Sequence, residues 1–215
     1  IKQLAAKWFG PIPMGEKYER NLPAEPIQTA ARVLDYEANV PLDALVKTWH
    51  IDSRLSQGYY IADLITEVMG GGGSSRLFQR LVKERRLFSN LDCYHFGSID
   101  KGLLAIDGKL VAGVTMDTAE AAVNEEIEQL LQEGISEQEL QKTINRTESV
   151  MAFEDMAVMS RANSLAFYEL LGNAALMNNE FKKYQAVTAA DIKQYSQQIF
   201  RKENSNTLRY HSKAN

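Results

Sequence analysis

The apolar positions of this chain change their period several times, and each change predicts an element. Ile1, Leu4, Ala5 and Trp8 recur at helical spacing until Gly10-Pro-Ile-Pro-Met-Gly15 stops the run with two prolines and two glycines. Glu16 to Pro26 is polar and holds Pro23 and Pro26, the pattern of an extended linker. Alternation then predicts strands over Ala31 to Tyr36 and Leu42 to His50. In the second, Ala44, Val46, Thr48 and His50 share one side and Leu45, Lys47 and Trp49 the other, so one side is mixed. Tyr60, Leu64, Ile65 and Val68 give a helix over Tyr59 to Met69, ended by Gly70 to Gly73. Ser74 or Ser75 is placed to cap a further helix with Leu77, Phe78, Leu81 and Val82 as its apolar stripe.

Leu87 to Phe96 and Leu103 to Val111 predict a second strand pair around the turn-rich Gly97 to Gly102. Thr118 to Gln132 is amphipathic and stops at Gly134, and Ser136 with Glu139 forms a capping box. The helix it opens is expected to run unbroken from Glu137 to about Leu171, where Gly172-Asn173 ends it. Helices over Ala174 to Tyr184 and, after the cap Thr188, Ala189 to Phe200 precede a last strand, Thr207 to His211. Paired strands followed by helices imply an α+β two-layer sandwich, its sheet mainly antiparallel with helices on one face.

The 215 residues are 45% hydrophobic and 24% charged, enough for a full core. A net charge of -4 lacks the basic excess that phosphate recognition needs, which argues against a nucleic-acid partner. No apolar run is long enough for a membrane span. Cys93, the single cysteine, sits in an alternating run and reads as a small buried apolar residue. The chain opens on Ile1, inside a helical pattern, so residues 1–15 are expected to close a preceding domain and residues 16–29 to form the linker from it. The compartment stays open between bacterial periplasm and cytoplasm.

His50, His95 and His211 stand singly, without a second ligand at metal-binding spacing, so no metal site is expected from this chain. Gly70 to Arg76 lacks the Gly-Lys-Ser/Thr ending of a phosphate-binding loop. Four consecutive glycines serve either a sharp turn between helices or a backbone surface that a peptide or another chain approaches closely. Arg161 and Tyr168 are seven residues apart in one helix, so they share a side, about 10 Å apart along its axis. An arginine fork suits a carbonyl or carboxylate, and a tyrosine hydroxyl can donate to a developing oxyanion. The alternative is a tyrosine packed on the core and an arginine reaching into water.

At these residues the sequence resembles the M16 metallopeptidases, the family of insulin-degrading enzyme, pitrilysin and the mitochondrial processing peptidase. The resemblance rests on Gly71-Gly72-Gly73-Ser74-Ser75-Arg76-Leu77, on Gly134 to Leu140, and on the Arg161/Tyr168 pair, and spans about Leu34 to Arg209. It implies that residues 30–215 are the C-terminal, non-zinc-binding domain of a clamshell, inactive alone. Arg161 and Tyr168 would be its catalytic contribution, and Gly71, Gly72, Gly73, Ser74, Ser75 and Arg76 would bind substrate. The H-x-x-E-H motif is absent. The resemblance therefore places zinc in a complementary half, an N-terminal M16 domain or a separate subunit, which would be the partner together with a peptide substrate. A homodimer through the same surface is a further expectation. Two other readings stand beside this one: a non-catalytic M16-like scaffold or assembly subunit, and an unrelated α+β module whose glycine turn binds a partner.

Overall fold

The computed structural model describes residues 1–16, 23, 25–97 and 99–213. Half of the expected linker, residues 17–22 and 24, lies outside these residues. The first helix, α1 (Lys2–Phe9), buries none of its residues. The body begins with β1 (Arg32–Ala38) and β2 (Ala44–Ile51), followed by α2 (Gln57–Gly70). Ser56 caps α2 by accepting a hydrogen bond from the Tyr59 amide.

The strands β3 (Phe88–Phe96) and β4 (Gly102–Leu110) lead to α3 (Met116–Glu133), α4 (Glu137–Glu154) and α5 (Val158–Leu170). A 3-10 turn at Ala174–Asn179, α6 (Glu180–Gln185), α7 (Ala189–Ile199) and β5 (Ser205–Ser212) complete the body. The five strands form one sheet in the order β1-β5-β2-β4-β3. Only β1 and β5 run parallel; β5 with β2, β2 with β4 and β4 with β3 are antiparallel. The expected mainly antiparallel α+β sandwich is the observed fold.

The mixed side of β2 is the covered one. Leu45, Trp49 and Ile51 enter the core with Leu104, Ile106 and Leu110 of β4 and Leu91 and Cys93 of β3, against α2, α3 and α7. Lys47 shares that side because its ammonium meets Glu120 of α3 at 2.9 Å, and Glu120 also accepts from Arg209 at 2.8 Å. A buried charge is tolerated there because it is paired. Near Ser89 the pairing with β4 shifts register between Phe88 and Asn90, so Phe88 and Leu91, three residues apart, are both buried. Cys93 is buried, as its alternating context suggested.

Three expectations need correction. The long helix breaks into α4 and α5 at Asp155 to Ala157, where i→i−3 bonds from Met156 and Ala157 tighten the turn and Ala157 turns extended (φ -85°, ψ 121°). No glycine or proline marks the break. The buried side of α4 comprises Leu140, Thr143 and Ile144, and the chain then turns so that Tyr168 can be buried elsewhere. Tertiary packing overrides local propensity there. The helix after the glycines is π-helical over Phe78–Glu84, with Arg85 bonding back to Arg80. Neither Ser74 nor Ser75 caps it: the Ser74 hydroxyl accepts from Lys142 at 2.6 Å, and the buried Ser75 hydroxyl has no partner among the described residues. Finally, the helix expected from Ala174 begins as the 3-10 turn and becomes α-helical only at Glu180.

Candidate functional site

The glycine run turns sharply between α2 and the π-helical segment, and two of its members have separate reasons. A Cβ at Gly70 would lie 2.7 Å from the Cys93 Cα, so only glycine lets α2 pass against β3. Gly72 adopts φ +84°, a left-handed conformation that costs other residues strain. The turn is tied to α4 from outside: Arg146 donates to the Gly71 carbonyl and lies 3.2 Å from the Glu67 carboxylate. Arg76 makes a two-pronged bond to Glu139, 3.0 Å on each prong, and reaches the Gly134 carbonyl at 2.9 Å. Of the candidate substrate-binding residues, Arg76 thus has its fork engaged within the chain, whereas Gly73 has open space around it.

Both members of the second pair lie on α5 and differ in environment. Tyr168 is the one buried residue of that helix, and Arg161 is exposed, its side chain without a hydrogen-bond or ion-pair partner among the described residues. Tyr168 closes one wall of a cleft of about 440 Å³ between α2, the α4/α5 break and α6. The rings of Tyr59, Phe167 and Tyr184 line it too, together with Arg54, Met151 and the polar side chains of Glu154, Asp155, Asn163, Ser164 and Glu180, so its walls mix aromatic and polar groups.

Arg54, missed from the sequence, organises this wall. It sits in the turn between β2 and α2, and its guanidinium is buried among three rings: Tyr59 at 4.4 Å, Tyr60 at 5.3 Å and Tyr168 at 5.6 Å. It donates to Tyr60 Oη at 2.7 Å and Tyr168 Oη at 2.9 Å, and forms an ion pair with Glu180 at the start of α6. Tyr60 Oη in turn donates to Glu180 at 3.1 Å and accepts from Lys183 at 2.9 Å. Burial pushes the Tyr168 phenol well above its ordinary range and Glu180 adds to this, while the Arg54 charge opposes it. The phenol is therefore a neutral hydrogen-bond donor at physiological pH. Nothing in Asp52-Ser53-Arg54 distinguishes this arginine from a surface one, and its partner is 126 residues away.

Next to this cluster, Asp63 accepts from Tyr184 Oη at 2.6 Å and lies 3.4 Å from His95. The other two histidines also meet one carboxylate each, His50 with Glu25 at 3.5 Å and His211 with Asp35 at 3.1 Å. Among the described residues no group of three potential ligands comes together to hold a metal. No helix of the described residues is long and apolar enough to cross a membrane.

The fold is that of a peptidase half. The chain superposes on a protease from Helicobacter pylori with a TM-score of 0.90 at 17% identity, covering 97% of this chain and 51% of that one. A peptidase M16 inactive domain from Pseudomonas fluorescens superposes at 0.81 with 16% identity over 99% of this chain and 51% of that one. A chain of Complex III2 from Candida albicans superposes at 0.74 with 16% identity, over 96% and 51%. At these identities the likeness is one of fold, and this chain spans about half the length of each. The peptidase M16 inactive-domain profile matches residues 1–147, and the chain belongs to that family. That match carries the glycine turn and stops short of α5, so Arg161 and Tyr168 lie within the structural likeness alone. No curated protein sequence matches the chain.

Proposed function

We propose that this chain is the substrate-binding, metal-free half of an M16 zinc endopeptidase and is inactive alone. Its partner is a zinc-bearing half on another segment or subunit, and the metal chemistry belongs to that half. This chain's own contribution is to hold the peptide and to donate to the carbonyl under attack. The observation that carries the reading is Tyr168, a buried phenol whose oxygen is fixed by Arg54 at the wall of a cleft lined by aromatic and polar side chains. Arg161, exposed and without a partner on the same helix, is free to reach a peptide carbonyl or carboxylate. In the turn from Gly71 to Ser75, Gly73 has open space where a side chain would stand, so a peptide backbone can approach closely there.

The test is steady-state peptidase kinetics of the complete protein, with its zinc-bearing half, for Tyr168→Phe. Loss of one donor to the oxyanion is expected to lower turnover about 10- to 1000-fold with zinc content unchanged. Unchanged turnover would remove Tyr168 from the chemistry.

The likeness to a Complex III2 chain supports a second reading, an M16-like scaffold without peptidase activity. On that reading the complete protein hydrolyses no peptide, and Tyr168→Phe alters only stability.

A further inference from the structure

A guanidinium has only donors, so Tyr168 Oη, 2.9 Å from Arg54, must be the acceptor in that bond. The phenol keeps one proton and must place it elsewhere. The acceptor at hand is Glu180, which already takes Arg54 on one oxygen and Tyr60 on the other. A carbonyl oxygen entering the cleft therefore competes with a carboxylate whose oxygens are already engaged.

We infer that Arg54 is the positioning residue for Tyr168: its fork, held by Glu180 and packed among Tyr59, Tyr60 and Tyr168, fixes the Tyr168 oxygen at the cleft wall, where an entering carbonyl draws the phenol proton away from Glu180. The inference rests on the proposed role of Tyr168 and adds to it a residue that touches no substrate itself. The ring contacts at 4.4–5.6 Å and the simultaneous bonds to Tyr60 and Tyr168 need a planar fork. A lysine ammonium is a single charged point and cannot hold both hydroxyls in the same geometry.

The Arg54–Glu180 pair can also be read as a tie between the β2–α2 turn and α6 that serves folding alone. A double-mutant cycle on the complete peptidase separates the two, with kcat, KM and zinc content measured for the parent, Arg54→Lys, Tyr168→Phe and the double variant. Arg54→Lys is expected to lower kcat about tenfold with KM and zinc unchanged, as a misplaced catalytic hydroxyl does. In the Tyr168→Phe background the same change is expected to leave kcat where it was. Equal falls in both backgrounds overturn the inference while the role of Tyr168 stands. If Tyr168→Phe alone leaves kcat unchanged, that role and the inference fall together. Should Arg54→Lys fail to fold, Glu180→Gln keeps the size and an acceptor oxygen while removing the counter-charge, and the same cycle is run with it. It is expected to lower kcat in the parent and not in Tyr168→Phe.

Discussion

Gly70 and Gly73 stand three residues apart in the same run, and a methyl group meets opposite conditions at each. At 70 it is driven into the β3 backbone beside Cys93, and at 73 it meets nothing within 4 Å. Gly70→Ala is therefore expected to cost about 3 kcal/mol, because backbone cannot yield as a side-chain tip can, and Gly73→Ala to stay within about 0.5 kcal/mol. Urea denaturation of both variants checks this, and equal costs would mean that the run acts only as a flexible turn. The sequence offered a turn or an approached surface as the use of these glycines. The approach at Gly70 proves to be internal, made by a strand more than 20 residues away, which no local pattern can announce. Glu180 extends the point. Its removal leaves the Arg54 charge buried without its carboxylate, so Glu180→Ala is expected to destabilise by about 3–5 kcal/mol. A Glu180→Ala variant as stable as the parent would mean that water reaches the guanidinium.

At the scale of elements, features set by near neighbours are legible in the sequence. The Ser136/Glu139 capping box, the Thr188 cap, the alternation of β2 and β4 and the stripe of α2 are set by neighbours within four residues, and all form; Asp191, which completes a second box with Thr188, was not expected. Elements whose shape depends on remote partners were not legible: the break between α4 and α5, the π-helical segment and the 3-10 start before α6. The capping box on α4 shows both kinds of interaction on one carboxylate. Partial burial alone would raise the Glu139 carboxyl, but the bonds from Arg76, from the Ser136 backbone and from the Ser136 hydroxyl outweigh it and hold it down at about 2, against an ordinary 4.5. A depressed folded-state value means that the unfolded chain binds the extra proton first. The stabilisation is thus complete above about pH 4.5 and is lost as pH falls through about 2. With the side chain 37% exposed, solvent screening limits it to about 1 kcal/mol. Glu139→Gln is expected to flatten this acid limb in denaturation curves between pH 5 and 2, and an unchanged limb would assign the acid sensitivity to other carboxylates.

At the scale of the whole molecule, α5 is a helix with too little beneath it. Of its 13 residues only Tyr168 is buried, while Val158 is 84% exposed, Met159 72% and Leu170 70%. Phe153 and Met156 just before it are exposed to the same degree, at 73% and 76%. A helix this short is marginal in water unless packing supports it. An apolar stretch of this kind on one surface marks a place where another surface belongs. The same helix carries both candidate catalytic residues, so its order and the function are coupled. In the isolated chain, the backbone amides of Val158–Leu170 are expected to exchange with deuterium much faster than those of α2, whose apolar side is buried throughout. At raised chain concentration a second copy is expected to act as a substitute cover for α5. The weight-average sedimentation coefficient should then climb, and exchange over α5 should slow in step with it. Val158→Lys is expected to abolish both effects, since a charge there cannot be buried in a like surface. A zinc-bearing half, if it is the natural cover, should protect α5 at concentrations where the chain alone is monomeric. Protection of α5 in a dilute monomer would show that Tyr168 and its anchor on Arg54 hold the helix unaided, and the need for a second surface would then have to be argued from the chemistry alone.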